Sequence, residues 1–425
     1  MRTRDGLFAI KRYAWTWWPA ALLVAAAVAP LVGYWLNNPD DQRLVDLDVY
    51  RTGGEAVLAG RPVYDFVTPA PQLLPFTYPP IAALLAAPLA KMSWPVAQWV
   101  WTIGIFAALA VAAGHAFRPL LARAGRLWTP LLFAALMIAC TYMMPIRDQV
   151  RFGQVDILLV ALCVADCLAR RPWWPRGLLI GLATAVKLTP GVFLIYLLIT
   201  GFGRDGRPEQ RRTLSMAVFT AALLTVLPFL VIPRDSTQFW FSALLDSGRV
   251  GANNATTNQS MRGMLLRLYL PDWLTTALWL ALLAVVAWYG FRWARRAFAT
   301  GDPLTGVALT GLMAVLLSPV AWIHHLAWMV VVLGALVAAA GDTRRLWVAA
   351  GVWLYYVLPI PWWGVTLRAA EIPVLSPVLG RVVQNAYGLG ALALVWLLGH
   401  WLPRRARAAE RAAAPPGHRD HPARA

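Results

Sequence analysis

The stretch "WWPAALLVAAAVAPLVGYW" (residues 17–35) is an apolar run without a charged side chain. A helix of about 20 such residues is long enough to cross the hydrocarbon core of a bilayer. Basic residues precede it in "MRTRDGLFAIKRYAW" (residues 1–15). The run is longer than the core of a secretory signal, and no small-residue cleavage site is followed by a soluble domain. We therefore predict a first transmembrane helix with its N-terminus in the cytoplasm.

Similar apolar runs recur along the whole chain of 425 residues, of which 59% are hydrophobic and only 14% charged. A water-soluble protein of this length needs much more polar surface. The composition therefore predicts an all-α polytopic membrane protein. We expect one membrane domain over residues 1–402 and a basic, disordered cytoplasmic tail over residues 403–425.

The formal net charge of +18 comes mostly from arginines scattered between the apolar runs. This distribution disfavours nucleic-acid binding and is typical of cytoplasmic loops that face anionic membrane lipids. The positive-inside rule places six basic connections in the cytoplasm. They are residues 117–126, 169–176, 203–212, 291–296, 341–345 and 403–411.

These loops predict about twelve crossings, near residues 15–36, 95–116, 127–145, 155–169, 177–187, 189–201, 214–233, 273–296, 303–320, 325–340, 344–360 and 381–401. The pair around "GLATAVKLTPG" is too short for two full spans, so we predict a helix broken at Lys187–Pro190. The Pro-bounded segment 78–92 is predicted to be re-entrant or interfacial. The other connections, 37–94, 146–154, 187–190, 234–272, 320–325 and 361–380, fall on the extracytoplasmic side.

The outer connections carry the unusual polar clusters, so we expect a site there. GxSxG, P-loop and HExxH motifs are absent from the sequence, which disfavours a serine hydrolase, an ATP-driven pump and a zincin. His324 and His325 are adjacent and should diverge on a helix, and the three cysteines form no CxxC pair, so no metal site is expected. No cofactor is expected either.

Arginines and a lysine beside carboxylates suit group transfer from an anionic lipid, because cations stabilise a phosphate leaving group and a carboxylate can act as base. The candidate cations are Arg51, Arg147, Arg151, Lys187, Arg262 and Arg368.

The stretch "LVDLDVYRTGG" (residues 44–54) carries two acids, Asp46 and Asp48. On a strand both would lie on one face, whereas on a helix they diverge by roughly 200°, so that only one faces a site. The local sequence is equally compatible with a solvated acid pair. Lys187 is the stronger signal, because an ionisable residue within an apolar segment points to function; a snorkelling lysine is the alternative.

Six motifs in order resemble glycosyltransferase family 87: "DLDVYRTGG", "PFTYPPIAALLAAPLA", "RFGQVDILLVALCVAD", "GLATAVKLTPGVFLIYLL", "NQSMRGMLLR" and "SPVAWIHHLAW". The resemblance covers about residues 40–330 and includes mycobacterial α-(1→2)-mannosyltransferases. It implies a GT-C bundle in a bacterial plasma membrane, with the active site outside and both termini inside. It also implies polyprenyl-phosphate-mannose as donor. The implied acceptor is a mannosylated glycolipid, namely a phosphatidylinositol mannoside, lipomannan or lipoarabinomannan.

The resemblance makes Asp46 the general base of an inverting single displacement and puts Asp48 at a variable position. One departure is "GQVD", where relatives commonly carry Asn in place of Asp156. The further residues expected to bind substrate are Asp48, Tyr50, Arg51, Tyr78, Arg151, Gln154, Lys187, Asn258, Gln259, Arg262, His324, His325 and Glu371.

Two other classes compete with the transferase. A lipid or glycolipid transporter would explain the number of helices, the broken pair and Lys187. It predicts functional charges near the bilayer midplane and a repeat between halves, and we find no such repeat in the sequence. A structural assembly protein would need neither Lys187 nor the histidine pair.

Overall fold

The computed structural model describes residues 2–39, 42–202, 206–338 and 342–401. The predicted tail over residues 403–425 lies outside these ranges. The described chain is helical, with two isolated β-bridges and no longer strand pairing within those ranges. Its α-helices are α1 (Arg2–Leu36), α2 (Val45–Leu58), α3 (Pro80–Ala90), α4 (Trp94–Ala116), α5 (Arg118–Leu121), α6 (Gly125–Tyr142), α7 (Met144–Phe152), α8 (Asp156–Leu168), α9 (Leu178–Val186), α10 (Val192–Phe202), α11 (Pro208–Val231), α12 (Pro233–Phe241), α13 (Met261–Leu266), α14 (Asp272–Ala299), α15 (Pro303–Leu316), α16 (Met329–Val337), α17 (Thr343–Val357), α18 (Ile360–Ala369), α19 (Leu375–Gln384) and α20 (Ala386–Trp396).

Five of these helices are long and apolar enough to cross a membrane: α1 (over Trp17–Leu36), α4, α6, α11 and α14. The pairs α17–α18 and α19–α20 are bent by 51° and 59°, and they raise the number to seven if each pair is one span. The prediction of an all-helical membrane protein is confirmed. Each of the twelve predicted ranges contains a helix, but several are shorter than a full span, so the number of crossings stays a prediction.

The helix interrupted at Lys187 is confirmed. Helix α9 ends at Val186, a 3-10 turn covers Thr189–Gly191, and α10 begins at Val192. Lys187 itself has an extended backbone, with φ −151° and ψ 132°. Pro190 has no amide hydrogen to donate to the preceding turn, which accounts for the break. The long lysine side chain is thereby released from the helical path.

The bundle is packed around α15 and α16. Every residue of α15 from Leu304 to Leu316 is buried, and so is every residue of α16 from Met329 to Leu336. By contrast, α11 and α14 leave most of their apolar side chains exposed. A helix that is apolar all round belongs in the core, and exposed apolar helices of this length are expected at a lipid surface.

Several segments predicted as outer loops are helical. Residues 361–380 fall on α18 and α19, which pack so closely that a Cβ at Gly364 would collide with the backbone of Gln384. Residues 146–154 form α7, and the connection 37–94 contains α2 and α3. These helices have only about 9 to 14 residues, too few for the span-length pattern that guided the prediction.

Two backbone connections fix the polar segments relative to one another. The N–H of Leu44, just before α2, donates to the carbonyl of Arg151 at 2.8 Å and ties the start of α2 to α7. The N–H of Gln259 donates to the carbonyl of Ala321 at 2.7 Å, next to the turn that carries the two histidines. A third bond, from the Gln149 side chain to the carbonyl of His324 at 2.7 Å, connects the two pairs, so four segments that are distant in sequence are held together.

Candidate active site

The two acids of "VDLDVY" lie in the first turn of α2, and the helix separates them. Leu47, Val49 and Tyr50 are buried, which orients the helix. The carboxyl of Asp46 interacts with Gln154, Lys187 and Asp156, whereas the charges nearest to Asp48 are Arg51 and Glu55 on its own helix. Only Asp46 therefore joins the polar cluster, as the helical alternative predicts.

Lys187 is the cation of this cluster. Its Nζ lies 2.7 Å from Oδ1 of Asp156 and 3.0 Å from Nε2 of His325, and 5.4 Å above the ring of Tyr78. The side chains of Lys187 and Asp156 are only 13% and 8% exposed. An ammonium group can only donate, so the Nε2 of His325 accepts and this imidazole is neutral. The lysine reaches the cluster rather than snorkelling away from it.

Gln154 connects the cluster to two tyrosines. Its Oε1 accepts hydrogen bonds of 3.3 Å from the hydroxyls of Tyr50 and Tyr78, which lie 2.9 Å apart. All three side chains are buried. Because its oxygen is engaged by both tyrosines, the Gln154 amide is oriented with its NH₂ group toward Asp46.

The two histidines lie together, and the prediction that they diverge is wrong. They belong to a 3-10 turn (Ile323–Trp328) rather than an α-helix, and their ring centroids are 4.7 Å apart in an edge-on arrangement. Their Nε2 atoms lie 3.8 and 3.9 Å from Oδ2 of Asp156. Gln149 fixes the turn by donating to the carbonyl of His324 at 2.7 Å. Asp156 thus binds three of the predicted residues into one cluster.

Asp156 is the residue that the sequence prediction missed. It appeared only as a departure from the family pattern, although it opens the apolar run of α8. The rule that drew attention to Lys187 applies equally to this acid, because an intramembrane or membrane-adjacent charge needs a partner. Its carboxyl oxygen Oδ2 and Nε2 of His324 are buried and form no hydrogen bond within the described residues.

Asp156, His324 and His325 offer ligand atoms within 4.8 Å of one another. A carboxylate and two imidazoles are suitable ligands for a transition metal. The Lys187 ammonium, however, already contacts one carboxylate oxygen and one imidazole nitrogen of this set. A divalent ion would have to displace that cation, so the geometry favours lysine as the positive charge.

The electrostatic surroundings of Asp46 suit proton transfer. Burial raises the pKa of Asp46 from 3.8 to about 7, although Gln154 and Lys187 act to lower it; Asp156 adds to the rise. A carboxyl group with a pKa near the working pH is an effective general base. Burial also raises the pKa of Asp48, which Arg51 opposes. Asp46 is thus the acid of α2 that lies in the cluster and whose pKa is raised to about 7.

Arg151 lies beside the cluster. Its guanidinium stacks 4.9 Å over the ring of Phe152, which packs edge-on against His324. Its Nε is buried and has no hydrogen-bond partner in the part of the chain that the structure describes. Nearby Asp148 is buried, and burial raises its pKa to about 7 despite Arg151 and Arg147. Phe152 thus connects the Arg151 guanidinium to the histidine turn.

Six predicted substrate-binding residues lie outside this cluster, namely Asp48, already described, and Arg51, Asn258, Gln259, Arg262 and Glu371. Arg51 donates to the carbonyls of Leu89 and Met92 and joins α2 to the end of α3. Arg262 stacks on Trp279, 5.5 Å from its ring centroid. Glu371 is exposed between α18 and α19, with a φ of 53°.

Asn258 and Gln259 are fully buried, and their side chains bond to the backbone. Asn258 accepts from the N–H of Ala321 at 3.0 Å, and Gln259 bridges the carbonyl of Gln384 and the N–H of Gly388. The Asn258 side chain fixes the loop that precedes the histidine turn, and the Gln259 side chain fixes the junction of α19 and α20. The structure therefore gives their side chains a positioning role.

The amino-acid sequence is similar to those of known glycosyltransferases. The sequence profile of glycosyltransferase family 87 matches residues 76–319. The chain is 34% identical over 404 residues to a protein of Mycobacterium tuberculosis named polyprenol-phosphate-mannose-dependent alpha-(1-2)-phosphatidylinositol mannoside mannosyltransferase, with 90% of each chain covered. It is 33% identical over 406 residues to a protein of the same name from Mycolicibacterium smegmatis, covering 90% of this chain and 89% of the relative.

A pentamannoside mannosyltransferase of Mycolicibacterium smegmatis is 32% identical over 355 residues, with 80% of this chain and 81% of the relative covered. No solved structure matches the chain significantly. The expected family is thus confirmed.

Proposed function

The chain belongs to glycosyltransferase family 87, and we propose that it transfers mannose from polyprenyl-phosphate-mannose to a mannosylated phosphatidylinositol glycolipid. The relatives that it matches over 90% of its length are named for this donor and acceptor class. The observation that carries the proposal is the position of Asp46 beside Lys187, in a buried cluster built from α2, α8 and the histidine turn. Base and cation are the two groups that this transfer needs.

Asp46 acts as general base. Its carboxylate takes the proton from the attacking hydroxyl of the acceptor while that oxygen forms a bond to the anomeric carbon of mannose. Gln154 orients the carboxylate, and its own oxygen is held by Tyr50 and Tyr78. These hydrogen bonds hold the carboxylate in the narrow range of positions that proton transfer requires.

The bond between the anomeric carbon and the phosphate oxygen breaks as the new bond forms. The phosphate leaves with the electron pair, and Lys187 and Arg151 stabilise its charge. His325 keeps Lys187 in place by accepting one of its hydrogens. The sugar–phosphate bond already supplies the driving force, so the reaction needs no nucleotide.

A single displacement inverts the anomeric configuration, and a β-mannosyl phosphate gives an α-mannoside. We propose an α-(1→2) linkage, in line with the names of the relatives. Among acceptors, a phosphatidylinositol mannoside is favoured over lipomannan and lipoarabinomannan because it appears in those names. The cluster is proposed to face the extracytoplasmic leaflet of a plasma membrane, since the positive-inside rule puts the basic loops on the other side.

The runner-up, a lipid or glycolipid transporter, is distinguished by a direct test. Purified protein in nanodiscs receives polyprenyl-phosphate-[¹⁴C]mannose and phosphatidylinositol mannosides, and proteoliposomes receive a labelled lipid. Transfer of label to the glycolipid without movement of lipid across the bilayer supports the transferase. Lipid movement without a labelled glycolipid product contradicts it.

A further inference from the structure

A polar cleft lies between the loop that follows α12 and the start of α14. It has a volume of about 390 Å³, within the range of small-molecule sites. We infer that this cleft binds a hexose ring of the acceptor glycan, one or more units away from the hydroxyl that is glycosylated. The inference rests on the proposed function, which it extends by a second contact with the acceptor.

The chemistry of the lining suits a sugar. Asn254 offers a carboxamide and Asp272 a carboxylate, so the lining supplies hydrogen-bond donors and acceptors for the hydroxyls of a hexose. The hydroxyl of Thr275 is buried and donates to the carbonyl of Leu270 at 3.4 Å. Asn254 and Asp272 are exposed. Tyr269 adds a flat apolar surface on which the C–H face of a sugar ring can pack, with a hydroxyl at its rim. The residues that line the cleft include no Lys or Arg.

Tyr269 is held in an unusual conformation. Its φ of 55° lies in the left-handed region, which side chains other than glycine and asparagine rarely adopt. Its side chain is 63% exposed, and the guanidinium of Arg381 lies 5.5 Å from its ring centroid. The ring is thus held by one cation–π contact and stays largely exposed, which leaves ring surface for a ligand to pack against.

The cleft is rigidly connected to the reaction cluster. The carbonyl of Asn253, in the cleft wall, accepts from the Asn258 side chain at 2.8 Å. The same Asn258 side chain accepts from the N–H of Ala321 at 3.0 Å, three residues before His324. A glycan seated in the cleft is therefore fixed relative to the histidine turn, as a remote acceptor subsite needs to be.

Direct binding tests this inference without catalysis. Methyl α-mannoside and an α-linked mannotetraose are titrated against the full-length protein in nanodiscs, and saturation-transfer NMR reports contact. Tyr269→Gly removes the ring and keeps the backbone conformation, since glycine adopts a positive φ freely. Tyr269→Phe keeps the ring. We expect Tyr269→Gly and Asp272→Asn to weaken mannotetraose binding at least fivefold, and Tyr269→Phe to bind within about twofold of the wild type.

A matched control is Thr237→Ala in another outer cleft, lined by Pro233, Arg234, Thr237 and Gln238, and it should bind as the wild type does. In transfer assays the KM for long acceptors should rise in Tyr269→Gly, with the KM for the donor unchanged. Equal binding by Tyr269→Gly and the wild type would overturn the inference, as would equal loss in Thr237→Ala. A wild type that binds mannotetraose through Tyr269 but transfers no mannose would refute the proposed function and leave the cleft assignment standing.

Discussion

The ion pair between Lys187 and Asp156 allows the structural and catalytic roles of the lysine to be separated. The two charges are 2.7 Å apart and the side chains are 13% and 8% exposed. At an effective dielectric constant of about 20 their attraction is about 6 kcal/mol, which is offset by the cost of removing both from water. Removing one partner leaves the other charge buried and unpaired, and such changes cost about 3–5 kcal/mol.

We therefore expect Lys187→Met and Asp156→Asn each to lower the midpoint of thermal unfolding by several degrees. The double variant leaves no unpaired charge, so its midpoint should return close to that of the wild type. Tryptophan fluorescence of the detergent-solubilised protein during heating measures all four members of the cycle.

Transfer activity should follow a different order. Lys187 is proposed to stabilise the leaving phosphate, and loss of one such donor costs about 10²–10³ in kcat. The double variant should therefore be stable but inactive, and Asp156→Asn should be active to the extent that it folds. A double variant that regains most of the activity together with its stability would refute the role of Lys187 at the phosphate.

Two further predictions follow from the buried groups. Because the pKa of Asp46 is raised to about 7, its base form is lost as the pH falls through 7, and kcat/KM should drop about tenfold per pH unit below 7. Since Asp156 contributes to the rise, Asp156→Asn should shift this acidic side of the pH profile to lower pH. A wild-type profile that stays flat from pH 5 to 8 would contradict both statements. Arg267 is 1% exposed and donates to Asn385 and to two backbone carbonyls. Arg267→Met should lower the free energy of unfolding by about 3 kcal/mol or more by leaving these acceptors unpaired. Arg262 is partly exposed, and Arg262→Met should cost under about 1 kcal/mol. Thermal unfolding of the two variants side by side tests this difference, and equal losses would contradict it.

The sequence was sufficient to locate features that depend on local pattern. The break at Lys187 follows from a proline in an apolar run, and the geometry of Asp46 and Asp48 follows from helical periodicity once α2 is known to be a helix. The choice between strand and helix for that segment stayed open, and alternation alone would have favoured a strand.

Features that depend on packing could not be predicted. Asp156 and Lys187 are 31 residues apart, and only the packing of α8 beside the broken pair brings them together. The histidines share one partner because their turn is a 3-10 helix. Asn258 and Gln259 are polar residues that could bind a ligand. Only the structure shows that they are buried and that their side chains form hydrogen bonds to backbone groups. The sequence did not predict helices α18 and α19, because each is shorter than the apolar run of about 20 residues that indicates a transmembrane helix.

The central claim, that Asp46 is the base and Asp48 is not, is tested most directly by one transfer assay. Wild type, Asp46→Asn and Asp48→Asn in nanodiscs receive polyprenyl-phosphate-[¹⁴C]mannose and phosphatidylinositol mannosides, and labelled glycolipid is measured over time. The account predicts loss of about 10²-fold or more for Asp46→Asn, consistent with general-base catalysis, and activity near that of the wild type for Asp48→Asn. An active Asp46→Asn beside an inactive Asp48→Asn would contradict the assignment.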